Sequence, residues 1–111
     1  MKKIIKWSNK MIKHIVMFKF AEEAEGRKGI ENAAIAKEML EALQGVVPTL
    51  KASRVSLNSK KASPANYELV LETEFDDIEG LSAYAVHPEH VKVGTFIRSV
   101  MISRACVDYE F

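Results

Sequence analysis

The chain has 111 residues, enough for one hydrophobic core and not for two, so a single domain must carry its function. Sixteen lysines and arginines against fifteen aspartates and glutamates leave no chain-wide field to attract a polyanion, which argues against nucleic-acid and membrane partners. The one cysteine, Cys106, excludes an internal disulfide and a cysteine-based zinc cluster, and it fits a reducing compartment, so a cytoplasmic protein is expected.

Residues 1–10, "MKKIIKWSNK", are basic and only briefly apolar, without the continuous run of a secretory signal. They are read as a flexible N-terminal extension to a domain covering 11–111. From 12 to 20 the sequence "IKHIVMFKF" alternates, which predicts a strand with Ile12, His14, Val16, Phe18 and Phe20 on one face. The other face is half polar, so both sides of the sheet are expected to meet protein. After a break at "AEEAEGRKG", residues Ile30, Ala33, Ala34, Met39, Leu40 and Leu43 recur near helical spacing and predict a helix over 30–44, ended by Gly45 and Pro48.

A second strand is expected over 51–58, with Val55 and Leu57 to one side. The polar "NSKKASPAN" leads into "YELVLETEF", where Tyr67, Leu69, Leu71, Thr73 and Phe75 share a face. Asp76 or Asp77 then caps a helix with Ile78, Leu81 and Ala85 on its inner side. Pro88 disfavours an α conformation at His87, so that helix stops and another begins, with Val93, Phe96, Ile97 and Val100 facing inward. The closing "ISRACVDYEF" reads as a strand with Arg104, Cys106 and Asp108 opposite Ala105, Val107 and Tyr109.

This order predicts an α+β fold, a ferredoxin-like βαββαβ with a four-stranded antiparallel sheet covered by helices on one face. The uncovered face is expected to carry His14, Val16, Phe18, Leu69, Leu71 and Thr73. That surface is too apolar to be left wet, and a homodimer stacking two open faces into a dimeric α/β barrel would bury it.

The segment "YAVHPEHVKVGTF" holds two of the three histidines. His87 and His90 could share a helical face as metal ligands, but Pro88 interrupts that helix and the HExxH pattern is absent, so no metal is expected. His90 has the chemistry of a general base, because imidazole titrates near neutrality, and Tyr84 could polarise a carbonyl as an enolate develops. Each is equally compatible with an ordinary role, His90 bonding locally at a helix start and Tyr84 filling the core. His14 interrupts an apolar face and needs a partner, inside the core or in a pocket. Arg104 could anchor a carboxylate or phosphate, and Cys106 reads as a small buried hydrophobe rather than a nucleophile.

The opening strand, the "VVP" after the first helix, the run "ETEFDDIEGLSAYAVHPEH" and the closing "RACVDYE" together resemble the stress-responsive A/B barrel (Dabb) family over Met11 to Glu110. The HPxH segment is the most specific part. The resemblance implies a dimeric α+β barrel. A distant similarity to one plant member, olivetolic acid cyclase, implies a cofactor-free aldol cyclisation. There the second histidine of the HPxH segment is the base and a tyrosine six residues earlier assists it, positions filled here by His90 and Tyr84; the strand-one histidine matches His14. Leu69 stands where the plant enzyme has a further pocket histidine, and Arg104 where its closing strand is apolar, so the plant substrate does not carry over.

The expected function is therefore acid/base chemistry on a small carbonyl compound without a cofactor. His90 and Tyr84 are the catalytic candidates; His14, Val16, Phe18, Leu69, Leu71, Val93 and Arg104 would bind substrate. The alternatives are a non-catalytic ligand-binding or stress-related homodimer, and a structural or assembly role, favoured if the barrel interior is filled by side chains.

Overall fold

Alternation of apolar and polar side chains builds β1 (Ile12–Phe20), in which Ile12, His14, Val16, Phe18 and Phe20 are buried and the residues between them are not. The computed structural model describes residues 10–111; of the expected N-terminal extension, residues 1–9 lie outside the described residues. After β1 the chain forms a small ribbon, β2 (Glu23–Ala24) against β3 (Arg27–Lys28), where a loop was expected. Its two-residue turn has φ of 54° at Glu25 and 76° at Gly26, the pair of left-handed conformations that lets a tight hairpin follow the strand twist.

At the start of helix α1 (Gly29–Glu41) the Lys28 backbone N–H donates to the Glu31 carboxylate at 2.8 Å, the reaching-back half of a capping box. A Cβ at Gly29 would lie 2.4 Å from the Ala21 carbonyl oxygen, so only glycine lets the chain pass this close to the end of β1. The helix ends before the expected boundary at 44, because Leu43 and Gln44 bond back three residues to Leu40 and Glu41, and Gly45 then turns the chain at φ 89°. Its buried stripe is Ala33, Ala36 and Leu40, continued by Leu43, whereas Ile30 and Ala34 are exposed. Asn32, fully buried beside that stripe, accepts from Arg27 Nε at 2.7 Å and donates to the Ala24 carbonyl at 3.0 Å, which ties the ribbon to the helix.

Strands β4 (Ala52–Leu57) and β5 (Leu69–Phe75) follow, then α2 (Ile78–Val86), α3 (Pro88–Val100) and β6 (Met101–Glu110). Asp77 is the cap of α2, its carboxylate accepting from the Gly80 N–H at 2.8 Å. The inner side of α2 is Leu81 and Tyr84; Ile78 and Ala85, expected there, are exposed. The four long strands run in the order β4-β5-β1-β6 with every pairing antiparallel, which is the ferredoxin-like topology.

One expectation is reversed. His14, Val16, Phe18, Leu69, Leu71 and Thr73 lie beneath the helices and not on the open face, all of them at most 9 % exposed. The stripes of α1, α2 and α3 need an apolar partner, and the more apolar alternation of β1 and β5 supplies it. The open face is the half-polar one. It carries Lys13, Ile15, Met17 and Lys19 on β1, Val70, Glu72 and Glu74 on β5, and Ala105, Val107 and Tyr109 on β6. No helix among the described residues is long and apolar enough to cross a membrane.

Candidate functional site

The helix break positions the first functional group. His87, with φ −62° and ψ 133°, is extended and serves both as the C-cap of α2 and as the N-cap of α3, its Nδ1 accepting from the Glu89 N–H at 3.1 Å. Pro88 occupies the first position of α3, where a missing N–H costs nothing. His90 therefore falls in the first turn of α3, and side chains on a helix lean toward its N-terminus. That direction brings the imidazole to the last turn of α2, whose terminal carbonyls lack helical partners. His90 Nδ1 lies 3.1 Å from the Ala85 carbonyl oxygen.

A carbonyl only accepts, so Nδ1 carries the proton of this bond and neutral His90 presents Nε2 as a free base. Desolvation lowers the pKa of His90 below its ordinary 6.5, partly offset by the Ala85 bond and reinforced by the charges of His14, Arg104 and Arg98. The ring packs against Tyr84 at a 44° tilt with centroids 4.2 Å apart, and Tyr84 in turn packs against Phe75 at 5.0 Å. Burial pushes the Tyr84 phenol up to about 12, so its O–H stays protonated. No described residue hydrogen-bonds that hydroxyl, and Tyr84, otherwise buried, lines the cavity.

Opposite these groups, the register of β1 with β6 sets His14 directly across from Asp108. His14 Nδ1 and Asp108 Oδ1 are 2.5 Å apart, which fixes the imidazole with Nδ1–H toward the carboxylate. His14 is thus a satisfied buried histidine that also lines the cavity. Cys106 Sγ lies 3.6 Å from the same nitrogen, but it is exposed, against the expectation of a buried hydrophobe. Partial desolvation of the thiol, then the neighbouring Asp108 charge, raises its pKa and keeps it a thiol, a poor nucleophile.

Between the sheet and the α2–α3 pair is a cavity of about 540 Å³, large enough for a small organic molecule. Val16, Phe18 and Leu71 form its floor, Leu81, Val93 and Ile97 its roof, and His14, Tyr84, His90, Arg98, Arg104 and Asp108 its polar groups. Of the expected site residues, Leu69 alone does not line the cavity; it pairs with Phe18 and Leu57 beyond Leu71 and is buried in the core. Asp108 and Arg98 were not anticipated. Asp108 was legible as a neighbour of Cys106 on one strand face, but its pairing with His14 spans 94 residues and depends on a register that no local pattern specifies.

His14, Cys106 and Asp108 place three metal-ligating atoms within 4.8 Å of one another. Asp108 is exposed, and Arg104 brings a fixed positive charge to the cavity, so the group fits an internally bonded cluster better than a cation site.

No curated relative matches the sequence. Among solved structures, a dimeric protein of unknown function with a ferredoxin-like fold from Bacteroides fragilis is 36 % identical, with a TM-score of 0.75 over 91 % of this chain and 96 % of that one. A dimeric ferredoxin-like protein of unknown function from Thermobifida fusca is 20 % identical, with a TM-score of 0.77 over the whole of both chains. The hydroxynitrile lyase of Passiflora edulis shares the fold at 10 % identity, with a TM-score of 0.75 over 93 % of this chain and 94 % of that one. The family described as the stress responsive A/B barrel domain matches residues 12–111, the whole of the folded unit from β1 onward. The chain belongs to the stress-responsive A/B barrel family.

Proposed function

We propose that the cavity is the active site of a cofactor-independent enzyme that moves protons on a small carbonyl compound. The observation that supports this best is the state of His90. Its Nδ1 is held by a backbone carbonyl, its pKa is depressed, and Nε2 is left as a base beside a protonated phenol that no described residue engages. A neutral imidazole with its pKa lowered by desolvation takes a proton from carbon adjacent to a carbonyl, while the Tyr84 hydroxyl donates a hydrogen bond to the developing enolate oxygen. His14, oriented by Asp108, presents its other nitrogen as the second acid/base group. The fold admits an enzyme, since the Passiflora edulis protein that shares it is a hydroxynitrile lyase.

We further infer that the chain forms a homodimer through the open sheet face, as the Bacteroides fragilis and Thermobifida fusca relatives are described as dimeric. Met17, Val107 and Tyr109 stand 40 %, 55 % and 46 % exposed there, an apolar strip framed by the Lys13–Glu74 ion pair. The test is His90→Ala assayed against a panel of small ketones and aldehydes. The variant is expected to lose turnover by about 100- to 10,000-fold with its dimer intact. Retained turnover rejects the assignment, and saturable binding without any product identifies a ligand-binding protein instead.

A further inference from the structure

Two arginines of the cavity play no part in the proton chemistry. Arg98 on α3 and Arg104 on β6 both line it, from opposite walls. Neither is within ion-pair distance of a carboxylate among the described residues; the acidic groups there are bonded elsewhere or remote. Asp108, the one carboxylate of the lining, is engaged by His14. Two fixed positive charges therefore face one negative charge in an otherwise largely apolar pocket. Both charges reach the reacting region, since each acts on the His90 imidazole.

Arg98 also has a prepared seat. Its Nη2 donates to Thr95 Oγ1 at 3.4 Å, and a Cβ at Gly94 would meet Nη1 at 3.1 Å. An alanine at Gly94 would crowd that end of the guanidinium and make it shift by a few tenths of an ångström.

We propose that Arg98 and Arg104 bind the carboxylate of a monoanionic, mainly apolar substrate and so orient its carbonyl group toward His90 and Tyr84. A guanidinium suits a planar carboxylate because it offers parallel N–H donors. The excess of one positive charge over Asp108 matches a single negative charge; a dianionic phosphate would also meet the Asp108 carboxylate in the same lining. The substrate class is thus an oxo acid with an aliphatic or aromatic body. This rests on reading the cavity as the substrate pocket.

Calorimetric titration of the full-length protein with octanoate, octanamide and octyl phosphate tests it. Octanoate is expected to bind at least about tenfold more tightly than octanamide, from the charge-assisted bonds alone. In Arg104→Met and Arg98→Met that preference should shrink toward unity while octanamide affinity stays unchanged; Gly94→Ala should weaken octanoate alone. Equal affinity for octanoate and octanamide overturns the arginine anchor and leaves the pocket standing. Octyl phosphate binding more tightly than octanoate overturns the carboxylate assignment. Binding of none of the three overturns the pocket itself.

Discussion

At His90 one hydrogen bond decides what the side chain can do, because the Ala85 carbonyl at 3.1 Å selects the tautomer. Desolvation holds the pKa below 6.5, and a base must be neutral to act. Activity is therefore expected to be flat above neutrality and to fall in acid with an apparent pKa below 6.5; a profile that falls above neutrality as pH drops contradicts a desolvated base. Tyr84→Phe removes a hydroxyl that bonds nothing in the described protein, so it should leave Tm unchanged while lowering kcat by about 100-fold. An unchanged kcat would reduce Tyr84 to a packing residue. His90, Tyr84 and His14 were legible in the sequence because histidine and tyrosine announce their chemistry wherever they stand. Arg98 was not, since an arginine on an exposed helix turn looks like any solvated charge until its neighbour Gly94 and the cavity are seen together.

Among the elements, the junction of α2 and α3 matters most. A proline after His87 was enough to predict the break, since it disfavours the helical conformation at the residue before it and is well suited to begin the next helix. The break turns the first turn of α3 onto the last turn of α2, and that is what joins His90 to Ala85 and Tyr84. The start of α2 depends on Asp77, whose carboxylate caps Gly80 at 2.8 Å. Asp77→Ala is expected to cost about 1 kcal/mol, seen as a fall in Tm of about 4–8 °C by scanning calorimetry. The β2–β3 ribbon was not legible, because two-residue strands are too short for alternation to register, and Glu25 is an unusual residue to carry a positive φ.

For the whole molecule, strand order and helix placement were readable because alternation and amphipathic stripes persist over many residues. The side of the sheet that stays open was not. Both faces of β1 contain large apolar groups, and the choice between them belongs to the helices, which take the more apolar one. The dimer proposed through the opposite face predicts that Val107→Asp, a charge beside Ile15 in the register, shifts sedimentation to that of a monomer while the circular dichroism stays native. An unchanged dimer would move the interface elsewhere.

If His90 abstracts a proton from carbon inside this cavity, deuterium exchange reads that step without requiring the natural substrate. With 4-phenyl-2-oxobutanoate in heavy water, the wild-type protein is expected to catalyse deuterium incorporation beside the carbonyl, followed by proton NMR. His90→Gln, which keeps a polar side chain of similar reach, should slow it by at least about 100-fold with the fold and dimer intact. Exchange at the same rate in both proteins, or none above the buffer rate in the wild type, would rule out His90 as the base.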